Sequence, residues 1–297
     1  MTRPFRFGVI TSHAPDGAAW RDRARRAEAL GYSTLFVPDH FQVQWAPIVG
    51  LTIAAEATDR LRVGTLVFDN DYRHPAVLAK EIATLDLATG GRVEVGLGAG
   101  WKRSDYDETG MTYDRPGVRI ARMAEGLAVM KALWSSPEPV HFKGDHYVID
   151  GAVGTPRPAS RPHPTVCIGG GGRRILSLAA READVVAVNA TLTSGQLDAS
   201  VGDTITPAAF DEKIGWVRAA TGDRFDAIEL QCHCPFVMVT AAREPVDSPL
   251  ALVGTVEQLC ETLQQRRERW GFTYWVVPDD AMEAFAPVVA RLVPSSP

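Results

Sequence analysis

Hydrophobic residues along this chain fall in short unbroken runs, set between longer stretches whose apolar positions recur with helical spacing. The unbroken runs are FRFGVI (5–10), STLFVPDH (33–40), LRVGTLVF (61–68), VEVGL (93–97), TVCIGG (165–170), DVVAVN (184–189), AIELQCHCPFVMV (227–239) and TYWVV (273–277). Helical patterns occupy 17–30, 46–58, 75–88, 115–134, 173–181, 207–220, 256–270 and 281–292. A strand that faces water on one side alternates apolar and polar residues, whereas a strand covered on both faces is apolar throughout. The pattern therefore predicts eight parallel strands, mostly followed by helices. Eight such units in a chain of 297 residues predict a TIM (β/α)₈ barrel formed by residues 1–297 as one domain.

Residues 137–164 break the rhythm. They hold VHFKGDHYVID, which reads as a short hairpin, and the proline-rich TPRPASRPHP, and the alternation resumes unchanged after them. This is an excursion between the fourth helix and the fifth strand rather than a linker.

Composition narrows the class. A net charge of −5 and a pI near 5.8 give no basic footprint for nucleic acid. Four cysteines are too few for a disulfide framework, no apolar run reaches membrane-spanning length, and no signal-peptide core precedes the first strand. A cytoplasmic enzyme is the expectation.

Chemistry concentrates where predicted strands end, the face on which barrel active sites form. The stretch HPAVLAKEIATLDLATGGRVEVGLGAGW (74–101) is a helix opened by Pro75, a Gly90–Gly91 break and a buried strand. That strand runs into Gly98-Ala99-Gly100, closed by Trp101. Small residues followed by a large aromatic suit a flat ligand held close to the backbone. The dinucleotide-binding reading of this glycine run is weak, because Trp101 stands at the third glycine and Lys102–Asp105 is a poor helix opening. Further on, CIGGGGRRILSLAAREAD (167–184) sets four glycines between a strand and a helix, with Arg173 and Arg174 in the first helical turn. Backbone N–H groups and a helix N-terminus make an anion site, so this segment predicts phosphate binding. It is not a P-loop, since no Gly-Lys-Ser/Thr follows.

The segment VPDHFQVQW (37–45) offers Asp39 and His40, a carboxylate beside an imidazole able to move a proton near neutral pH. His13 is a possible pocket residue, and His74 before Pro75 reads as packing and capping. In Cys232-His233-Cys234 the two cysteines alternate on one face of an apolar strand and read as core, with no second ligand pair at metal-site spacing. Asp86 and Arg92 are expected to pair across the Gly-Gly break, and Arg21, Arg23, Arg25 and Arg26 to form a solvated face. No metal site is expected.

GYSTLFVPDH, RLRVGTLV, the 74–101 stretch, IGGGGRRILSLAAREADVV and LVGTVEQLCETLQQRRERWGFTYWVV resemble, in order and spacing, the luciferase-like monooxygenase superfamily. The branch that uses the deazaflavin coenzyme F420 is nearest. The resemblance implies a flavin or deazaflavin at the C-terminal face, with Asp39 near its ring and His40 at the hydride-bearing side as the catalytic proton donor or relay. It implies a bulge at Val67 with a cis Leu66–Val67 peptide, and Asp69 just beyond. Ala99, Gly100 and Ser104 would touch the ring and ribityl chain, and Gly171, Gly172, Arg174 and Ile175 would hold the phosphate. Relatives that oxidise sugar phosphates carry a glutamate where this chain has Trp101. The expected substrate is therefore small and flat or apolar, in an aromatic pocket of Trp45, Phe68, Tyr72 and Trp101. Hydride exchange with F420 is the expected activity, in a homodimer supplied by a flavin or F420 reductase system. An FMN-dependent monooxygenase using reduced flavin and oxygen is the alternative, and a barrel that only binds a ligand is a third reading.

Overall fold

In the computed structural model, which describes residues 3–192 and 194–293, eight parallel strands close into a ring. They are β1 (Arg6–Ile10), β2 (Thr34–Val37), β3 (Arg62–Thr65), β4 (Val93–Gly98), β5 (Thr165–Gly170), β6 (Val185–Val188), β7 (Glu229–His233) and β8 (Phe272–Pro278). Each pairs with the next in sequence, β3 joins β4 through Val63↔Val93, and β8 returns to β1 through Trp275↔Phe7. Each of the eight runs read from the sequence overlaps one of these strands.

The helices are α1 (Gly17–Ala29), α2 (Pro47–Glu56), α3 (Pro75–Ala88), α4 (Arg103–Thr109), α5 (Pro116–Ser135), α6 (Arg173–Glu182), α7 (Pro207–Thr221), α8 (Val256–Trp270) and α9 (Met282–Leu292). Proline, whose fixed φ and missing N–H suit a first helical turn, opens α2, α3, α5 and α7. Asp16, Thr206 and Thr255 cap α1, α7 and α8 through backbone N–H groups, and His74 caps α3 as expected. Gly271, at φ 91°, ends α8 and turns the chain into β8.

Outward-facing strand residues such as Phe7, Val9, Leu35 and Val95 pack under the helices, while Phe36, Cys167, Val185, Ala187, Tyr274 and Val276 form a separate apolar cluster. Below that cluster, at the start of the strands, lies a group the apolar runs conceal. Glu94 Oε1 accepts from Arg6 Nη1 at 2.6 Å and Arg62 Nε at 2.8 Å, and Tyr274 donates to Oε2 at 3.1 Å. Arg6 also reaches Glu229 at 2.6 Å, its guanidinium 3.5 Å from the Tyr274 ring centre. Burial alone would push the Glu94 carboxyl up. The Arg6 and Arg62 charges outweigh it and hold the group below the ordinary carboxylate range.

Several expectations need correction. The run 227–239 is two strands: Pro235 follows β7, and Phe236–Val239 pairs instead with Ala251–Gly254. Lys102–Asp105 does open a helix, the two-turn α4, without a side-chain cap. Asp86 does not pair with Arg92. It accepts from Ser160 N (2.8 Å) and Oγ (3.1 Å), anchoring the excursion, while Arg92 donates to the Leu61 and Ala55 carbonyls, both at 2.9 Å. Within the excursion Val140–Lys143 and Val148–Ala152 form the expected hairpin. Nor is the arginine face of α1 wholly solvated, since Arg23 reaches Asp279 (2.7 Å) and Arg26 reaches Glu283 (2.5 Å), tying the first helix to the last unit. Among the described residues no helix is long and apolar enough to cross a membrane.

Candidate active site

At the C-terminal ends of the strands the barrel opens into a cavity of about 280 Å³. Asp39, His40, Val67, Phe68, Asp69, Ala99, Gly100, Trp101, Gly171, Gly172 and Ile175, taken from five separate segments, all line it. The Leu66–Val67 peptide is cis, as the resemblance implies, and it lies between β3 and the two-residue strand Phe68–Asp69. Val67 projects over glycines: a Cβ on Gly98 would come within 2.6 Å of Val67 Cγ2, and one on Gly96 within 1.9 Å of the Thr65 carbonyl. These glycines let the cavity floor lie close to the backbone.

One wall is acidic and aromatic. His40 Nδ1 lies 2.6 Å from Asp105 Oδ2, which also accepts from Tyr72 OH at 3.2 Å. With Nδ1 held by a buried carboxylate, Nε2 is the ring nitrogen left for a ligand in the cavity. Asp39, the neighbour in sequence, is not the partner of His40. Its two oxygens bind Arg73 at 2.5 and 3.2 Å, and Oδ2 accepts the Asp69 N–H at 3.2 Å. Asp69 in turn accepts from Asp71 N and from Tyr106 OH, each at 2.9 Å. Burial, together with the Asp71 and Asp39 charges, pushes Asp69 up to about 7 against the hydrogen bonds that favour its charged form. Burial and the Asp69 charge likewise raise the hydroxyls of Tyr72 and Tyr106.

Another part of the lining is the start of α6. Gly172 is the N-cap of α6 and no side chain caps that helix. Its first N–H groups therefore lack a side-chain acceptor beside a cavity edged by Gly171 and Gly172. The two glycines differ. A Cβ on Gly171 would lie 2.1 Å from the Ala190 carbonyl, whereas one on Gly172 would meet only Thr191 Cγ2 at 4.0 Å.

Four expected site residues lie elsewhere. Trp45 stacks on Trp20 (centroids 4.6 Å apart, 7° between planes) and donates to the Ala14 carbonyl, which commits its ring to α1. Tyr72 is turned to Asp105 and Phe41, behind His40 rather than beside the cavity. Ser104 sits in the first turn of α4, outside the lining. Arg174 is exposed and extends toward Gly117 at the start of α5, where a Cβ would meet its Nη1 at 2.6 Å. His13 is also exposed and outside the lining. Of the aromatic pocket only Phe68 and Trp101 remain, with the Trp101 ring edge-on to His40 at 5.6 Å.

The sequence reading missed three residues. Asp105 orients His40, and only the fold brings positions 40 and 105 together. His233, given no role beside the two core cysteines, ends β7 in the cavity lining, and burial lowers its imidazole to about 4, so it is neutral. Arg119 of α5 lines the cavity while only 3% exposed. The Cys-His-Cys alternation held a signal for His233, because residues between two outward-facing core cysteines must face into the barrel.

A family model described as luciferase-like monooxygenase matches residues 2–209, and the chain belongs to that family. The chain is similar to two F420-dependent glucose-6-phosphate dehydrogenases. The one from Amycolatopsis mediterranei is 34% identical over 54% of this chain and 50% of its own length. The one from Intrasporangium calvum is 28% identical over 89% and 82%. An FMNH(2)-dependent dimethylsulfone monooxygenase of Pseudomonas putida is 31% identical over 52% of this chain and 41% of its own. Among solved structures, an F420-dependent secondary alcohol dehydrogenase superposes with a TM-score of 0.76 at 19% identity, over 98% of this chain and 99% of that one. At that identity the likeness carries the fold alone.

Proposed function

We propose that this enzyme moves a hydride between coenzyme F420 and a small organic substrate that is flat or apolar, the whole chain working as one barrel domain. The observation that carries the reading is the cavity's two unlike walls. His40, fixed by Asp105, lines the same cavity as an uncapped helix N-terminus edged by glycines. That arrangement fits a long cofactor with a reactive ring at one end and a phosphate at the other, and the relatives named for F420 support the choice. When bound, the deazaflavin supplies the hydride-carrying ring. The chain's own part is to bind, orient and exclude water. Asp39, Val67, Asp69, Ala99 and Gly100 edge the ring end, and Gly171, Gly172 and Ile175 the phosphate end. His40 gives or takes the accompanying proton at Nε2 while Asp105 fixes its tautomer. Leu66, Phe68, Trp101, Ile120 and Leu192 supply apolar lining.

The second reading is an FMN-dependent monooxygenase, favoured by the dimethylsulfone relative and by an anion wall that suits the FMN phosphate equally. A reductase would then supply the reduced flavin. We place the protein in the cytoplasm as a homodimer. The four free cysteines support the first assignment. The second is supported by an apolar groove of about 550 Å³ lined by Ile48, Val77 and Leu85 of α2 and α3, with Val49 and Val77 more than half exposed.

Titration of the purified protein with F420 and with FMN, followed by single-turnover hydride transfer against a panel of alcohols, ketones and enones, tests the proposal. The expected result is tighter binding of F420 and transfer that does not require oxygen. Tighter FMN binding with oxygen-dependent turnover would replace it by the second reading.

A further inference from the structure

We infer that Arg119 seats the phosphate of the cavity's ligand, closing from α5 the anion site that Gly172 opens at α6. The Arg119 side chain is nearly sequestered, at 3% exposure, yet its Nε and Nη1 have no hydrogen-bond acceptor. No carboxylate among the described residues forms an ion pair with it, although Arg6, Arg62, Arg73 and Arg122 all have one. It is held from behind by aromatic faces, 4.0 Å from the Tyr113 ring centre and 5.9 Å from that of Tyr106. A buried guanidinium is costly unless an anion meets it. The described residues supply none, and the group lines the same cavity as Gly171 and Gly172.

The two helix starts also abut. Gly117, two residues before Arg119, lies against the side chain of Arg174, two residues after Gly172. Neither α5 nor α6 has a side-chain cap, so two positive helix ends and one unpaired guanidinium face a single region. A planar fork of N–H donors beside backbone N–H groups matches the oxygens of a phosphate monoester or diester. Asp39 and Asp69 line the same cavity from other segments, so an anionic end of a ligand is met better beside Arg119 and the α6 start than beside these carboxyls.

This inference rests on the cofactor reading for the identity of the phosphate's owner, and the test separates the two. Wild type, Arg119→Met and Arg119→Lys are titrated with F420 and with its phosphate-free deazaflavin riboside. The pair FMN and riboflavin and inorganic pyrophosphate follow, and the melting temperature of each ligand-free protein is recorded. Arg119→Met should weaken F420 by roughly 10- to 100-fold, as expected for a lost hydrogen-bonded charge, and change riboside binding by less than about twofold. Its ligand-free melting temperature should hold or rise, because an unpaired buried charge has been removed. Arg119→Lys, a point charge without the fork, should fall between. Equal losses for F420 and the riboside would overturn the inference. So would a lower melting temperature with unchanged F420 affinity, which would make Arg119 a scaffold for Tyr113. If wild type binds neither F420 nor FMN but binds pyrophosphate through Arg119, the anion seat stands and the cofactor reading falls. Arg119→Met binding F420 as tightly as wild type would sink the seat and leave the cofactor reading intact.

Discussion

The two ends of this barrel both gather charged groups and use them in opposite ways. At the N-terminal end Arg6, Arg62, Glu94 and Glu229 satisfy one another inside the ring, with Tyr274 completing the set. At the C-terminal end the charges are only partly answered. Asp69 holds its proton up to about 7, His233 is neutral, and Arg119 lacks an acceptor among the described residues. One end converts charge into stability, and the other withholds that conversion until a ligand arrives. A strand six residues long, β4, spans from one regime to the other.

The sharpest way to break this comparison is at His40. His40→Ala should lower single-turnover hydride transfer by roughly 10²–10⁴-fold, the usual loss for a general acid-base group, with the melting temperature little changed. Lost stability with normal turnover per folded, loaded enzyme would make His40 a structural residue. Glu94→Gln should do the reverse. Leaving Arg6 and Arg62 facing a neutral amide should lower unfolding stability by about 3–5 kcal/mol in urea titrations. Turnover of the loaded, folded fraction should stay normal, and a drop there would mean that the two ends are not separate.

Asp69 gives a pH-dependent contrast. The folded protein keeps this proton to about 7, while the unfolded chain gives it up near 3.8. Below about pH 4 both states are protonated and Asp69 contributes nothing. As pH rises toward 7 the unfolded state is increasingly favoured, and the penalty levels off above that value. Asp69→Asn, neutral at every pH, should therefore match wild type near pH 4. By pH 8 it should exceed wild type by an amount on the order of 1–3 kcal/mol. A stability difference that does not vary with pH would remove the assigned titration. The smallest effect is expected at Gly172, where there is room for a side chain. Gly172→Val should weaken F420 by about tenfold, one lost backbone approach, without lowering the melting temperature. Gly171→Val should instead destabilise the fold, because its Cβ would strike the Ala190 carbonyl at 2.1 Å.

The barrel was legible because strands covered on both faces leave continuous apolar runs, and because Pro47, Pro75, Pro116 and Pro207 mark helix starts. The glycine segments were legible as close approaches of backbone to ligand. Partnerships were not. Asp39 and His40 adjoin in sequence, but successive side chains of extended backbone point to opposite sides, and each found its partner elsewhere, at Arg73 and Asp105. Trp45 carried the right chemistry for a pocket, and nothing local told which side of the loop it would face. Arg119 lies in an ordinary amphipathic helix, and its lack of an ion-pair partner is a fact of three dimensions only.

The locked set at the base has a consequence for ancestry and recombination. Arg6, Arg62, Glu94 and Glu229 come from four different strands, β1, β3, β4 and β7, so no contiguous fragment carries them all. A lineage can exchange one member only by passing through a weakened intermediate or by changing several at once. The partnerships at the rim are smaller, His40 with Asp105 and Asp39 with Arg73, so fewer positions need to change together there. Chimeras that graft βα units from a relative will tolerate crossover points according to whether the donor segment matches this foundation, whatever its loops encode.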